Sequence, residues 1–150
     1  MEPAANPAGA PITLMLRVYW DSMLFIYWLE GHPEFGPVMR EIFGGMQRRG
    51  DRLCTSIVTV GEVLAGLTAR QAAIKTYFRG SELDVLPFSF AAAEGFADLR
   101  RGYRLPSPDC IHLATAADAG VDVFLTNDKR LTKLNLPGIG IISGLNSGLT

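Results

Sequence analysis

Residues 105–131, LPSPDCIHLATAADAGVDVFLTNDKRL, decide how the rest of the chain is read. Ser107 and Pro108 start a helix: Ser caps well, and Pro suits the first turn, where a missing N–H costs nothing. The helix runs to Ala119 and stops at Gly120. Residues 121–125 (VDVFL) follow at once as a β-favouring run. An acid stands near each end of this unit, Asp109 in the first turn of the helix and Asp128 just past the strand. A helix that feeds a parallel strand runs antiparallel to it. Its first turn and the carboxyl end of the strand therefore lie on the same side of the sheet.

The same alternation extends to both ends of the chain. Residues 16–20 (LRVYW) form a short strand ending at Asp21, and Ser22–Glu30 a helix closed by Gly31 and Pro33. Residues 34–49 read as a second helix, weakened by Gly44 and Gly45. After the turn at Gly50 and Asp51, residues 53–57 (LCTSI) form a second strand. Residues 59–69 form a helix with Val60, Val63, Leu64 and Leu67 on one face, and another helix covers 70–79. Residues 83–86 are a third strand stopped by Pro87, residues 91–101 a helix with a basic end, and 139–142 a fifth strand at the sheet edge. Strands alternating with helices imply a three-layer α/β/α fold around a mainly parallel sheet of four to five strands. In such sheets the site lies in the crevice outside the carboxyl ends of the strands.

The bulk numbers agree with a single globular domain. The chain has 150 residues, 48% of them hydrophobic and 19% charged, enough apolar material for a core without disulfide or metal staples. Lys and Arg total 14 against 15 Asp and Glu, a net charge of −1, which argues against holding nucleic acid by bulk charge alone. Cys54 and Cys110 stand far apart in no metal-ligand spacing and read as small buried hydrophobes. No signal peptide or apolar run of membrane-spanning length is visible, so a cytoplasmic protein with no membrane partner is expected. Residues 1–14, rich in Ala, Pro and Gly, read as a flexible extension, residues 15–143 as the domain, and 144–150 as a tail. The strand signal begins directly after Met15, which leaves open whether residues 1–14 belong to the native chain.

Four acids fall where the crevice is expected. Asp21 ends the first strand, Glu62 lies early in the helix after the second, Asp109 opens the helix before the fourth, and Asp128 follows that strand. Each has a plainer explanation: helix starting for Asp21, a Thr59-x-x-Glu62 capping box, the helix dipole for Asp109, turn chemistry for Asn127 and Asp128. Together they would repel one another unless a cation neutralised them. Mg²⁺ or Mn²⁺ suits such oxygen ligands, and carboxylate-held metal is an arrangement that cleaves phosphodiesters.

Three segments carry a resemblance. RVYWDSMLFIYWLEG (Arg17 onward), GDRLCTSIVTVGEVLAG (Gly50 onward) and residues 105–131 resemble, in order and spacing, the motifs of the PIN-domain family. The last is most similar to the VapC-like ribonuclease toxins of type II toxin–antitoxin systems. The resemblance spans about residues 17–142. It implies a divalent-metal-dependent endoribonuclease acting on tRNA or another structured RNA, leaving a 5′-phosphate and a 3′-hydroxyl. It also implies Asp21, Asp109 and Asp128 as metal ligands with Glu62 beside them, and Ser22 and Thr126 holding the carboxylates by hydrogen bonds. A cognate antitoxin and a homodimer are the implied protein partners.

Arg100, Arg101 and Arg104, with Lys129 and Arg130, flank Asp109 and Asp128 and are read as RNA-phosphate contacts, although solvated helix ends explain them too. His112 reads as a packing or hydrogen-bonding residue. Trp20 and Met23 are bulky neighbours of Asp21, expected to narrow the entrance. The first helix is apolar nearly all round, which suggests a dimer or antitoxin interface. A housekeeping RNA-processing nuclease and a non-catalytic PIN binding module remain the alternatives. No Walker A loop, Gly-x-Gly-x-x-Gly run or Asp-x-Asp motif supports another phosphate chemistry.

Overall fold

The computed structural model describes residues 15–146. Five strands, β1 (Arg17–Trp20), β2 (Arg52–Ser56), β3 (Asp84–Leu86), β4 (Val123–Leu125) and β5 (Ile141–Ser143), form one sheet in the order β3-β2-β1-β4-β5. Every neighbouring pair is parallel. Six helices, α1 (Ser22–Glu30), α2 (Phe35–Arg49), α3 (Ile57–Gly66), α4 (Gln71–Arg79), α5 (Phe90–Gly102) and α6 (Ser107–Ala119), make the connections from β1 through to β4, while the parallel β4–β5 pair is joined by a loop with a 3-10 turn. The result is the three-layer α/β/α arrangement expected from the alternation.

The period of two in the strands distributes the core. Val18 and Trp20 of β1, with Val123 and Leu125 of β4, face one side and pack with Leu24, Phe25, Met39, Ile42 and Val63 of α1, α2 and α3. Tyr19 and Phe124 face the other side and pack with Leu99, Cys110 and Leu113 of α5 and α6. Both cysteines are buried and unbridged. From β1 the chain moves outward through β2 to β3, then returns by α5 and α6 to β4 on the opposite flank of β1. The order therefore reverses between β1 and β4, and a crevice opens there at their carboxyl ends.

Several boundaries differ from the sequence expectation. The third helix begins at Ile57, because Ser56 caps it by accepting a hydrogen bond from the Val58 N–H at 3.0 Å. Thr59 is then interior and hydrogen-bonds Thr55 Oγ1 at 2.8 Å, so the Thr59-x-x-Glu62 capping box does not form. Gly44 and Gly45 do not break α2, since Met39, Ile42 and Met46 bury one face of it. The fifth strand is shifted to Ile141–Ser143, and a 3-10 turn at Leu131–Lys133 precedes it. Leu145, just after it, packs into the core.

Trp20 does not narrow the entrance to the crevice. It is fully buried on the α1/α2 side, with its ring 5.2 Å from Phe25, 5.7 Å from Trp28 and 6.3 Å from Phe43. Much of the apolar circumference of α1 is likewise used internally. Ile26, Tyr27, Trp28 and Leu29 pack against the core, and Met23 is left as its exposed apolar side chain. The proposed extension over residues 1–14 and the last four residues lie outside the described part. Among the described residues no helix is long and apolar enough to cross a membrane.

Candidate active site

Strand register brings the first two components together. Trp20 pairs with Leu125, so Asp21 and Thr126 leave the sheet side by side. Asp21 caps α1, its Oδ1 accepting from the Leu24 N–H at 3.3 Å, while Oδ2 accepts from Thr126 Oγ1 at 3.3 Å. Thr126 Oγ1 in turn accepts the Asp128 N–H at 3.1 Å, which ties the turn after β4 to the same point. The junction of β2 and α3 is pinned alongside, because Thr55 Oγ1 donates to the Trp20 carbonyl at 2.7 Å. One cleft is lined by Asp21, Met23, Tyr27, Asp109, Thr126, Asn127, Asp128 and Lys129. Asn127 Nδ2 donates to Tyr27 Oη across it at 3.4 Å.

Glu62 does not line this cleft, but its charge is near enough to raise the Asp109 carboxyl. It is held by His112: Nε2 lies 2.8 Å from Glu62 Oε1, and Nδ1 lies 2.6 Å from Tyr19 Oη. Tyr19 is fully buried, and burial pushes its phenol well above the ordinary value, so it stays protonated. The phenol can then donate to Nδ1, leaving Nε2–H to donate to Glu62. Ser22, at the start of α1, is near enough to lower the Glu62 carboxyl further. The Tyr19–His112–Glu62 chain was only partly legible in the sequence. His112 follows Asp109 by one helical turn, but nothing local marks Tyr19 or Glu62 as its partners.

The carboxyls are not equivalent. Asp21 is shifted up, chiefly by burial, against the lowering influence of His112 and its two hydrogen bonds. Asp109 is shifted up by burial and by the charge of Asp128. Glu62 is shifted down, first by the His112 hydrogen bond, and Asp128 down by its hydrogen bond to Arg130. Because Glu62 is depressed, its contribution to stability is present above the ordinary value of 4.5 and is lost as pH falls through the lower folded value. His112→Ala is expected to move the Glu62 carboxyl upward, read as a shifted ¹³C carboxyl titration by NMR. An unchanged titration would mean that His112 is not what holds it down.

Arg130 departs most from expectation. Its guanidinium reaches Asp128 through Nε (3.1 Å to Oδ1) and Nη2 (2.6 Å to Oδ2), and Nη2 stands 3.6 Å from Asp109 Oδ2. It thus lies on the carboxylates, where an RNA phosphate was expected to meet it. The other basic residues sit around an adjoining cleft formed by Arg100–Arg104, Leu105, Pro106 and Arg130. Arg100 donates to the Leu105 carbonyl and Arg101 pairs with Asp98, both at 2.6 Å, while Lys129 lines the acid cleft itself.

Among the described residues no three His, Cys, Asp or Glu side chains are gathered closely enough to hold a metal ion. The donor set nevertheless suits a hard divalent cation. Asp21 and Asp109 carry unfavourable charge that a cation would relieve, and Arg130 already stands as a cation between Asp109 and Asp128. Thr126 and the Leu24 N–H fix the direction of Asp21 in the way that outer partners fix a ligand.

Comparison with known structures gives the same arrangement of elements. The VapBC2 complex of Rickettsia felis bound to a promoter DNA fragment aligns with a TM-score of 0.65 at 14% identity, covering 86% of this chain and 98% of that one. A toxin–antitoxin complex from Klebsiella pneumoniae aligns at 0.62 and 22% identity, covering 81% and 94%. VapC20 of Mycobacterium tuberculosis, a Sarcin–Ricin loop cleaving toxin, aligns at 0.60 and 12% identity, covering 71% and 86%. At these identities the likeness is one of fold. No curated protein sequence matches the chain. The family model for the PIN domain matches residues 18–136, from β1 past the 3-10 turn and through all four acids, and the chain therefore belongs to the PIN-domain family.

Proposed function

We propose that this chain is a divalent-metal-dependent endoribonuclease and the toxin of a toxin–antitoxin pair, acting in the cytoplasm on tRNA or another structured RNA. The observation that carries the reading is the placement of Asp21, Asp109 and Asp128 on one cleft at the strand switch point, with Glu62 held beside them by His112. Membership of the PIN family and the toxin–antitoxin context of the structural neighbours support it. A cognate antitoxin and self-association are the protein partners this implies. Residues 15–143 are read as the PIN domain, with 1–14 as an extension before it and a tail after it that begins beyond Leu145, since that residue packs into the core.

In this reading Asp21, Asp109 and Asp128 hold Mg²⁺ or Mn²⁺, with Glu62 as a further ligand or orienting group. The cation would lower the pKa of water and offset charge developing on the phosphate. The protein does the positioning. Thr126 and the Leu24 N–H aim Asp21, the Tyr19–His112 pair aims Glu62, and Ser22 steadies it from the start of α1. Arg100, Arg101, Arg104, Lys129 and Arg130 supply positive charge on the approach, needed because the chain as a whole carries none in excess.

Purified protein incubated with total tRNA is expected to give discrete fragments with Mg²⁺ or Mn²⁺ and none with EDTA. Cleavage that survives EDTA would exclude the metal-dependent mechanism. Absence of cleavage from folded, metal-binding protein across several structured RNAs would favour a binding module.

A further inference from the structure

We infer that Arg130 is an exchangeable internal cation, which neutralises Asp128 and Asp109 in the metal-free protein and turns to an RNA phosphate once it has yielded those carboxylates to a divalent ion. The inference rests on the ribonuclease reading above and adds to it a coupling between metal and RNA.

Three observations carry it. Arg130 is held only by exposed contacts: its side chain is 65% accessible and both carboxylates it meets are partly open to solvent. Such pairs break readily. Asp128 also does not depend on the guanidinium for its orientation. Its Oδ1 accepts the Arg130 backbone N–H at 2.9 Å, and its own N–H bonds Thr126 Oγ1 at 3.1 Å. The carboxylate would therefore stay aimed at the cleft after the side chain leaves. Finally, Arg130 lines the arginine-rich cleft while its guanidinium reaches Asp109 and Asp128 of the acid cleft.

In that second cleft Arg101 is paired with Asp98, whereas Arg104 has no ion pair among the described residues. Arg130 already lines that cleft with Arg104 and has only to release the carboxylates to present its guanidinium there. The fork that now spans both Asp128 oxygens matches two oxygens of a phosphate equally well. A divalent ion carries more charge than the guanidinium and prefers oxygen donors, so it has the advantage in competition for the carboxylates. Loss of Arg130 should accordingly help the metal and harm RNA binding, a pair of opposite effects that a purely structural salt bridge does not give.

The test compares wild type with Arg130→Gln, using Arg79→Gln on α4 as a control of equal charge change. Titration calorimetry with Mn²⁺ should show tighter binding by Arg130→Gln, by about two- to fivefold for removal of one exposed competitor, with the control unchanged. Anisotropy with a labelled phosphorothioate RNA, over a range of salt, reads the other half. In saturating Mn²⁺ the salt slope of wild type should exceed that of Arg130→Gln by roughly one phosphate contact, and in EDTA the two slopes should coincide. Mn²⁺ affinity that is equal or weaker in Arg130→Gln would overturn the exchange. Equal slopes in Mn²⁺ would overturn the phosphate role. Absence of Mn²⁺ binding by both proteins would remove the metal-site reading on which the inference rests.

Discussion

Asp21→Asn is expected to lower RNA cleavage by at least about 10²-fold, the scale of losing one preorganised electrostatic contact at a reacting phosphate, while leaving the fold intact. The two halves of this expectation have separate causes. Activity falls because an amide is neutral and a poor ligand for a hard cation. Stability holds because Asn caps a helix as well as Asp, so the Leu24 N–H keeps its acceptor. Thr126 can turn its hydroxyl to accept from the amide. Burial raises the Asp21 carboxyl, so the native state holds that proton more tightly than the unfolded chain does. The charge therefore weakens the fold as pH rises through the window above its ordinary value of 3.8. Removing it should leave the melting temperature at neutral pH equal to wild type or higher. Cleavage assays beside thermal melts check both. Full activity in the variant would place the metal elsewhere, and a melting temperature several degrees lower would show that Asp21 serves the fold.

The largest effect on stability is expected for Trp20→Ala, a loss of about 3–5 kcal/mol. Trp20 has no accessible surface and packs tilted or edge-on among Phe25, Trp28 and Phe43, rings drawn from α1 and α2. Truncation opens a cavity between the sheet and that helical layer, which rigid neighbours cannot refill. Against a total stability of roughly 5–15 kcal/mol this is a large share. Trp20→Phe should cost much less. The ring is largely replaced, and the Trp20 Nε1–H has no hydrogen-bond partner among the described residues, so no polar contact is lost with it. Urea unfolding would show the difference as a midpoint shift at constant m-value. Equal shifts for the two variants would mean that the indole N–H, and not the ring volume, is what the site requires.

The two predictions concern adjacent residues that face different worlds. Trp20 is the last residue of β1 and points into the core, whereas Asp21, one step later, leaves the sheet and enters the cleft. That step explains why the sequence alone misjudged Trp20. Alternation along a strand says that neighbours oppose each other, but it does not say which face is closed over by helices. The boundaries that moved have a similar origin. The start of α3 depends on whether Ser56 or Thr59 caps it, and Thr59 is removed from that competition by Thr55, a partner on β2.

Strand and helix alternation, the turn-forming glycines and the position of each acid at the end of an element were enough to determine the α/β/α architecture and the side on which the acids gather. These properties follow from local preference and from the single direction that parallel strands share. Tertiary structure alone decided what each acid touches. His112 lies far along the chain from Tyr19 and Glu62, yet it stands between them. Arg130 turns back on Asp128 and Asp109, a contact that the sequence reading, which set it on an RNA phosphate, did not offer. Such contacts depend on distances of a few ångströms between side chains that the folded backbone brings together, and hydrogen bonds and ion pairs are felt only over those distances.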